Sequence, residues 1–220
     1  MNGKSVNWVH YLRTRILGLS GSPRTGSNTS ILIETALAAA EKEGAVIEFI
    51  DLSFQNVKSC EHCNECSKLG KCKIDDDDVN KIAETMKAAD GIILGSPDHY
   101  GSVSASMKNL MDRIGRFLHL EGKVGCGLVV GRRSGIEIAL SHLLFFLLVK
   151  EMIVPGGVYW PIGFSLNAGD VRADTEAMVM AAQMGKRVAI LASTLVRNPV
   201  PWIHEPRNVG PKVRFGDEWK

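Results

Sequence analysis

Little net charge, few aromatic residues and no long hydrophobic run mark this sequence, and each shortage removes a class of function. The 26 basic side chains against 24 acidic ones leave a net charge of +2, too small to argue for a nucleic-acid partner or an anionic membrane surface. The longest purely apolar run, Leu143 to Val149, has seven residues, far short of the roughly 20 that cross a bilayer. The opening segment, MNGKSVNWVHYLRTR, has no uninterrupted apolar stretch ahead of a small-residue cleavage site, so no secretory signal is expected. Repeats and low-complexity tracts are missing as well. With 45% hydrophobic and 23% charged residues in a chain of 220, the expectation is a cytoplasmic protein with a large core, in one domain or at most two. Cysteine is scarce too, five in all, yet four fall between Cys60 and Cys72. Where thiols stay reduced, such a cluster points to metal binding or catalysis rather than to disulfides.

Short apolar runs alternate with helical patterns. Arg15 to Ser20 reads as a buried strand, and a helix over about Asn28 to Glu43 follows it, ended by Gly44. Ala45 to Ile50 is the second strand, and the cysteine loop comes next. A helix over about Asp78 to Ala89 leads to strand three, Gly91 to Gly95. Val103, Met107, Leu110, Met111, Ile114 and Leu118 recur at spacings of three and four, which marks one face of a further helix. Val124 to Val130 is strand four and Ile136 to Val149 a helix. Val158 to Trp160 reads as strand five, and Asp174 to Val196 as the last helix. Strands alternating with helices imply βαβ units and an open parallel sheet covered on both faces. Five strands suit the order 2-1-3-4-5, in which ligands bind at the carboxyl ends of the strands.

The loop after strand one, Leu19-Ser-Gly-Ser-Pro-Arg-Thr-Gly-Ser-Asn-Thr-Ser30, carries the glycine spacing of a Walker A loop in Gly21 and Gly26. Ser27-Asn28 stand where that motif needs lysine and a magnesium-binding hydroxyl, so a nucleoside triphosphate is not expected. The three-glycine dinucleotide fingerprint is absent too. What remains is a set of hydroxyls and amides at a helix N-terminus with one arginine, which suits a single phosphate monoester. A capped helix start, with Ser27 or Asn28 as the cap, is the plainer alternative. It needs one such residue, whereas seven Ser, Thr and Asn side chains lie between Ser20 and Ser30.

Ser96-Pro-Asp-His-Tyr-Gly-Ser-Val-Ser-Ala105 after strand three, and Gly131-Arg-Arg-Ser-Gly135 after strand four, share that edge of the sheet. Their small residues let backbone approach a flat ligand. Three loops on one rim describe a pocket for a phosphate joined to a planar ring.

On these residues the sequence resembles a known family. Gly18-Leu-Ser-Gly-Ser-Pro-Arg-Thr-Gly-Ser-Asn-Thr29, Ser96-Pro-x-x-Tyr-Gly-Ser-Val-Ser104 and Lys108-x-x-x-Asp-Arg113 are similar to the NADPH-dependent FMN reductase branch of the flavodoxin-like proteins. With Cys60, Cys63, Cys66 and Cys72 after strand two, the chain resembles the iron–sulfur flavoproteins of anaerobic archaea and bacteria. The resemblance covers about residues 14 to 196. It implies that Ser20, Ser22, Arg24, Ser27, Asn28 and Thr29 hold an FMN phosphate. It also implies that Pro97, Asp98, His99, Tyr100, Gly101 and Ser102 line the isoalloxazine ring, with Gly131 and Arg132 on its other side. One departure is Asp98-His99, where members commonly carry an apolar residue and then an aromatic one. The implied organisation is an N-terminal extension (1–13), a flavodoxin-like FMN-binding domain (14–197) with its cysteine loop (58–74), and a C-terminal arm or tail (198–220) holding Trp202 and Trp219.

The cysteine spacing, C-x2-C-x2-C-x5-C, is unlike the two distant knuckles of most zinc sites and closer to ferredoxin-type runs. A 4Fe–4S cluster on Cys60, Cys63, Cys66 and Cys72 is the expectation, with zinc or free thiols as alternatives. Gly70 eases the return of the chain to the fourth cysteine. Such a cluster makes sense beside a flavin, which exchanges electrons singly or in pairs.

Other residues read as structure. Asp75 to Asp78 open a helix, where acids suit the helix end. His62 reads as a solvated loop residue and Cys126 as a small core residue. No catalytic acid, base or nucleophile is assigned; proton exchange by Asp98 or His99 is weighed against simple loop geometry. The apolar run at Leu143 to Val149 cannot hide on one face of a helix, so it is expected in a subunit interface as well as the core.

The resulting expectation is an FMN- and cluster-containing oxidoreductase, a homodimer or homotetramer, exchanging electrons with a ferredoxin-like carrier or NAD(P)H and a small acceptor. An NAD(P)H-dependent FMN or quinone reductase without a cluster, and a non-catalytic redox sensor, are the competing readings.

Overall fold

The computed structural model describes residues 13–199. Most of the N-terminal extension and nearly all of the C-terminal segment expected as an arm, Trp202 and Trp219 included, lie outside the described residues.

Five parallel strands form one sheet in the order β2-β1-β3-β4-β5, as the alternating pattern predicts. β1 (Arg15–Ser20), β3 (Gly91–Pro97) and β4 (Val124–Gly131) are the central strands, with β2 (Val46–Asp51) and β5 (Ile162–Phe164) at the edges. Helices α1 (Asn28–Lys42) and α6 (Thr175–Arg197) cover one face; α3 (Val79–Ala88), α4 (Ala105–Ile114) and α5 (Ile136–Val149) cover the other. α2 (Cys66–Leu69) is a single turn inside the cysteine loop.

The central strands read as apolar runs because both their faces are buried. Alternate residues go to opposite cores: Ile16, Ile93, Cys126 and Leu128 pack under α1 and α6, while Leu17, Ile92, Leu94 and Val129 pack under α3, α4 and α5. α1 starts where Ser27 accepts a hydrogen bond from Ser30 N. α6 lies so close to α1 that a Cβ on Gly185 would stand 1.9 Å from Ala36 O. Only glycine fits at that crossing. By length and composition α6 could cross a bilayer, but here its Ala181, Met184, Val188 and Ala189 face is buried in the core.

One expectation needs correcting. Val158 to Trp160 is not strand five. These residues are exposed in the loop before it, and β5 begins after Pro161, with Ile162, Gly163 and Phe164 opposite Val129, Val130 and Gly131. β-branched and aromatic residues favour strands, but pairing there is set by packing. Gly163 sits against Ala177, Val171 and Leu32, where a Cβ would meet carbon at 3.1 Å. The apolar run on α5 is divided: Leu143, Phe146 and Leu147 belong to the core, whereas Phe145, Leu148 and Val149 are exposed.

Candidate functional site

The loop after β1 is stitched from within. Ser30 Oγ lies 2.9 Å from both Ser20 Oγ and Ser27 Oγ, and donates to Asp51 Oδ2 at 2.9 Å at the end of β2. Ser22 Oγ accepts from Arg24 N at 3.2 Å. These buried hydroxyls fix the backbone, while Pro23, Arg24, Thr25 and Gly26 remain exposed around the N-terminus of α1. Asn28 has a different task. Its Nδ2 donates to Ser165 Oγ (2.8 Å) and Asn167 O (2.7 Å), and its Oδ1 accepts from Gly169 N (2.8 Å) and Val171 N (3.3 Å). It fastens the loop after β5 to the start of α1.

The loop after β3 is a tight turn. His99 N donates to Ser102 O at 2.8 Å and Ser102 N to His99 O at 3.2 Å. Between them Tyr100 (φ 56) and Gly101 (φ 74) are both left-handed, the conformation of a two-residue hairpin turn. Asp98 Oδ1 accepts from Gly101 N at 3.0 Å, and Ser102 Oγ lies 3.3 Å from His142 Nδ1. Tyr100 is fully exposed at the tip. Gly21 N donates to Gly95 O at 2.7 Å, and Ser104, the N-cap of α4, donates its hydroxyl to Gly21 O and its amide N–H to Ser96 Oγ. The two loops are thereby one frame.

Between them lies a cavity of about 290 Å³. Of the expected residues it brings together Ser22, Arg24, Ser27, Asn28, Thr29, Pro97, Asp98, His99, Gly131 and Arg132. Ser20 is buried behind it, and Tyr100, Gly101 and Ser102 form the turn at its edge. Ser165, Leu166 and Ala168 complete the wall. Sequence reasoning missed them because it placed strand five four residues too early. A lining that combines amides, hydroxyls and Arg24 with Pro97, Val130 and Leu166 suits a phosphate joined to a flat apolar group.

The cysteine loop is built on another plan. Cys60, Cys63, Cys66 and Cys72 line one small recess of about 30 Å³ together with Arg113 and Arg116. Among the described residues no three His, Cys, Asp or Glu side chains converge closely enough to hold a metal ion. All five cysteines are free thiols. Four thiols on one recess form a donor set suited to iron–sulfur or zinc ligation. Cys60 and Cys63 are exposed, Cys66 is half-buried and Cys72 buried. His62 is exposed, as expected.

The residue that sequence reasoning undervalued is Arg113. Its side chain has no solvent exposure, and all five N–H donors are used. Nε donates to Cys72 Sγ (2.9 Å), Nη1 to Lys58 O (3.0 Å) and Asp77 Oδ2 (2.7 Å), and Nη2 to Ile74 O (3.1 Å) and Asp77 Oδ1 (3.2 Å). One side chain thus joins both ends of the cysteine loop. Asn109, four residues earlier on α4, adds a bond to Val57 O at 3.3 Å. A signal existed: Arg113 falls beside Leu110 and Ile114 on the buried stripe of α4.

The acidic run also has a fuller role than helix polarity. Asp78 is the N-cap residue of α3 but makes no side-chain cap there; its carboxylate accepts from Asn56 N at 2.7 Å. Asp76 pairs with Lys58, and Asp77 accepts from Lys58 N (3.0 Å) and Val79 N (3.2 Å) besides Arg113. Burial works against the Asp77 carboxylate, but the hydrogen bonds from Arg113 and the two amides prevail and hold its pKa below the usual value. Burial likewise opposes the Arg113 charge, and the bonds to Asp77 and Cys72 outweigh it. Cys126, buried in β4, is pushed up to about 12 by desolvation and stays a neutral core thiol.

These features agree with comparisons to known proteins. The family described as NADPH-dependent FMN reductase matches residues 14–167. An iron–sulfur flavoprotein of Methanocaldococcus jannaschii is 41% identical over 80% of this chain and 95% of its own length. In structure, RosB, solved with bound 8-demethyl-8-formylriboflavin-5'-phosphate, superposes with a TM-score of 0.67 at 18% identity, covering 94% of this chain and 96% of that one. A flavodoxin from the domain Archaea superposes with a TM-score of 0.57 at 16% identity, over 82% of this chain and 99% of its own, which shows the shared flavodoxin-like fold. The chain belongs to the NADPH-dependent FMN reductase family of flavin-dependent oxidoreductases and, within it, to the iron–sulfur flavoproteins.

Proposed function

We propose that the protein binds one FMN in the cavity between the loops after β1, β3 and β5, and one 4Fe–4S cluster on Cys60, Cys63, Cys66 and Cys72. It exchanges electrons between a ferredoxin-like carrier or NAD(P)H and a small acceptor. The observation that carries this reading is the presence in one chain of a phosphate-and-ring cavity and a four-thiol recess. When bound, flavin supplies one- and two-electron exchange and the cluster one-electron exchange. Within the cavity, Arg24 and the amides at the start of α1 neutralise a phosphate. Backbone of the Asp98 to Ser102 turn, with Gly131 and Arg132 after β4 and Leu166, would line the ring of a bound flavin.

The working form in this proposal is a cytoplasmic homodimer or homotetramer, with no nucleic acid and no membrane involved. Phe145, Leu148 and Val149 on α5, together with Val158, Tyr159 and Trp160, are exposed large apolar residues of the kind a second copy would cover. The 154–161 loop beside them encloses a further apolar cavity of about 420 Å³ with Cys126, Leu144 and Met184.

Anaerobic purification followed by iron, sulfide, zinc and flavin analysis of one sample tests the cofactors. One FMN with four irons and four sulfides per chain is the expected result; FAD or a single zinc would overturn it. Turnover with NADPH and with reduced ferredoxin then identifies the donor class. A cluster-free FMN or quinone reductase is the second reading, favoured by the exposure of Cys60 and Cys63.

A further inference from the structure

The four cysteines are not equivalent. Among the described residues, the hydrogen bonds of segment 60–70 run within the segment: His62 N to Cys60 Sγ (3.4 Å), Ser67 Oγ to Asn64 O (3.2 Å), and the turn of α2. His62 (φ 54) and Asn64 (φ 60) hold left-handed backbone there without being glycine, which is costly for side-chain-bearing residues. Cys72 is held from two directions. Its N–H donates to Asn80 Oδ1 at 2.9 Å and its carbonyl accepts from Asn80 Nδ2 at 3.0 Å, while Arg113 Nε holds the sulfur at 2.9 Å. It is only 6% exposed.

We propose that Arg113 is a positioning residue that presents Cys72 as the one pre-set ligand of the cysteine site, onto which the other three thiols close. The cation at the sulfur also sets the electronics of whatever that sulfur ligates. A sulfur that accepts an N–H bond from a cation donates less electron density, which favours the reduced state of a bound cluster. Lysine keeps the charge opposite Asp77 but has neither the planar fork nor the five donors to reach the same acceptors. α4 gives the arrangement its fixed position. Its N-cap, Ser104, is tied to the frame of the flavin cavity, and Arg113 comes nine residues later, about 14 Å along a rigid helix.

Arg113 acts on a cluster only if the four thiols hold one, so the experiment includes an arm in metal-free protein. The full chain, stripped of metal and reduced, is treated with iodoacetamide, and each cysteine's labelling rate is followed by mass spectrometry. In wild type, Cys72 labels far more slowly than Cys60 or Cys63. In Arg113→Lys, Cys72 labels faster by about tenfold, the scale of a lost charged hydrogen bond, while Cys60, Cys63 and FMN binding are unchanged. In protein reconstituted with ferrous iron and sulfide, the same variant shows a more negative cluster midpoint potential. A tenfold change in the one-electron exchange equilibrium corresponds to about 59 mV. Asp77→Asn, which keeps Arg113 but loosens its clamp, gives the same ordering with a smaller factor, and decides the labelling arm if Arg113→Lys does not fold. Equal Cys72 labelling in wild type and variants overturns the proposal, as does an unchanged potential in reconstituted Arg113→Lys. Wild-type protein that takes up no iron removes the cluster reading and leaves the labelling arm to decide on Arg113.

Discussion

The cavity proposed for flavin and the cysteine recess both follow strand ends, but they are held in different ways. Around the cavity, short side chains bond to one another and to nearby backbone: Ser20, Ser27 and Ser30 with Asp51, and Ser96 and Ser104 with Gly21. Ser30 Oγ joins Ser20, Ser27 and Asp51, and the Ser96 and Ser104 bonds stand apart from it. The cysteine loop is gripped at both its ends by a buried ion pair, Arg113 with Asp77, with Asn80, Asn109 and Asp78 adding bonds at the same borders. A frame of many small bonds is pre-shaped throughout, whereas a loop gripped at its ends leaves three of its thiols free to adapt to a ligand.

This contrast is broken most severely at the clamp. Asp77→Ala leaves a buried guanidinium unpaired and should lower stability by about 3–5 kcal/mol, measured by urea unfolding. Ser22→Ala, which removes one bond from Arg24 N at the rim of the cavity, should cost only about 1 kcal/mol, the usual value for a neutral hydrogen bond; equal losses would show that the two regions are built alike. The same clamp predicts acid sensitivity. The folded pKa of Asp77 is lowered, so its stabilisation is fully present above its unfolded value of about 3.9. It is lost as pH falls through the folded value. Asp77→Asn should therefore flatten the stability profile at the acid end, and an unchanged acid limb would assign the effect to other carboxylates.

Cys63→Ser should lose its iron without losing FMN, because an alcohol replaces thiolate poorly in iron–sulfur ligation and the two sites share no ligand. Reduction of bound FMN by a one-electron donor protein should slow sharply, and direct hydride reduction should change little. A full one-electron rate in that variant would take the cluster off the path to the flavin. Arg24→Ala should weaken FMN by about 1.5–3 kcal/mol, the range for a charged hydrogen bond, and leave iron content unchanged; titration of apoprotein with FMN measures it. The smallest effect on either site is expected from Phe145→Asp. Because Phe145 is exposed on α5, the substitution should leave both cofactors bound and shift the sedimentation equilibrium toward monomer. A wild-type monomer would remove the basis for this expectation.

The sequence by itself determined the strand order, because apolar runs alternating with amphipathic stretches admit few right-handed parallel arrangements. It also determined the rim of the cavity, since hydroxyls, glycines and Arg24 lie in contiguous loops whose chemistry is local. Only the tertiary structure decided where β5 lies, because its pairing with β4 depends on the fit of Gly163 beneath Val171 and Ala177 rather than on strand propensity. It also decided that Asn28 serves the loop after β5 and that Phe146 faces the core while Phe145 faces outward. Above all, it decided the role of Arg113, whose partners Lys58, Cys72, Ile74 and Asp77 lie 36 to 55 residues away in the chain. Periodicity reports which face of a helix is buried, but the partner of a buried charge is set by which segments folding brings together.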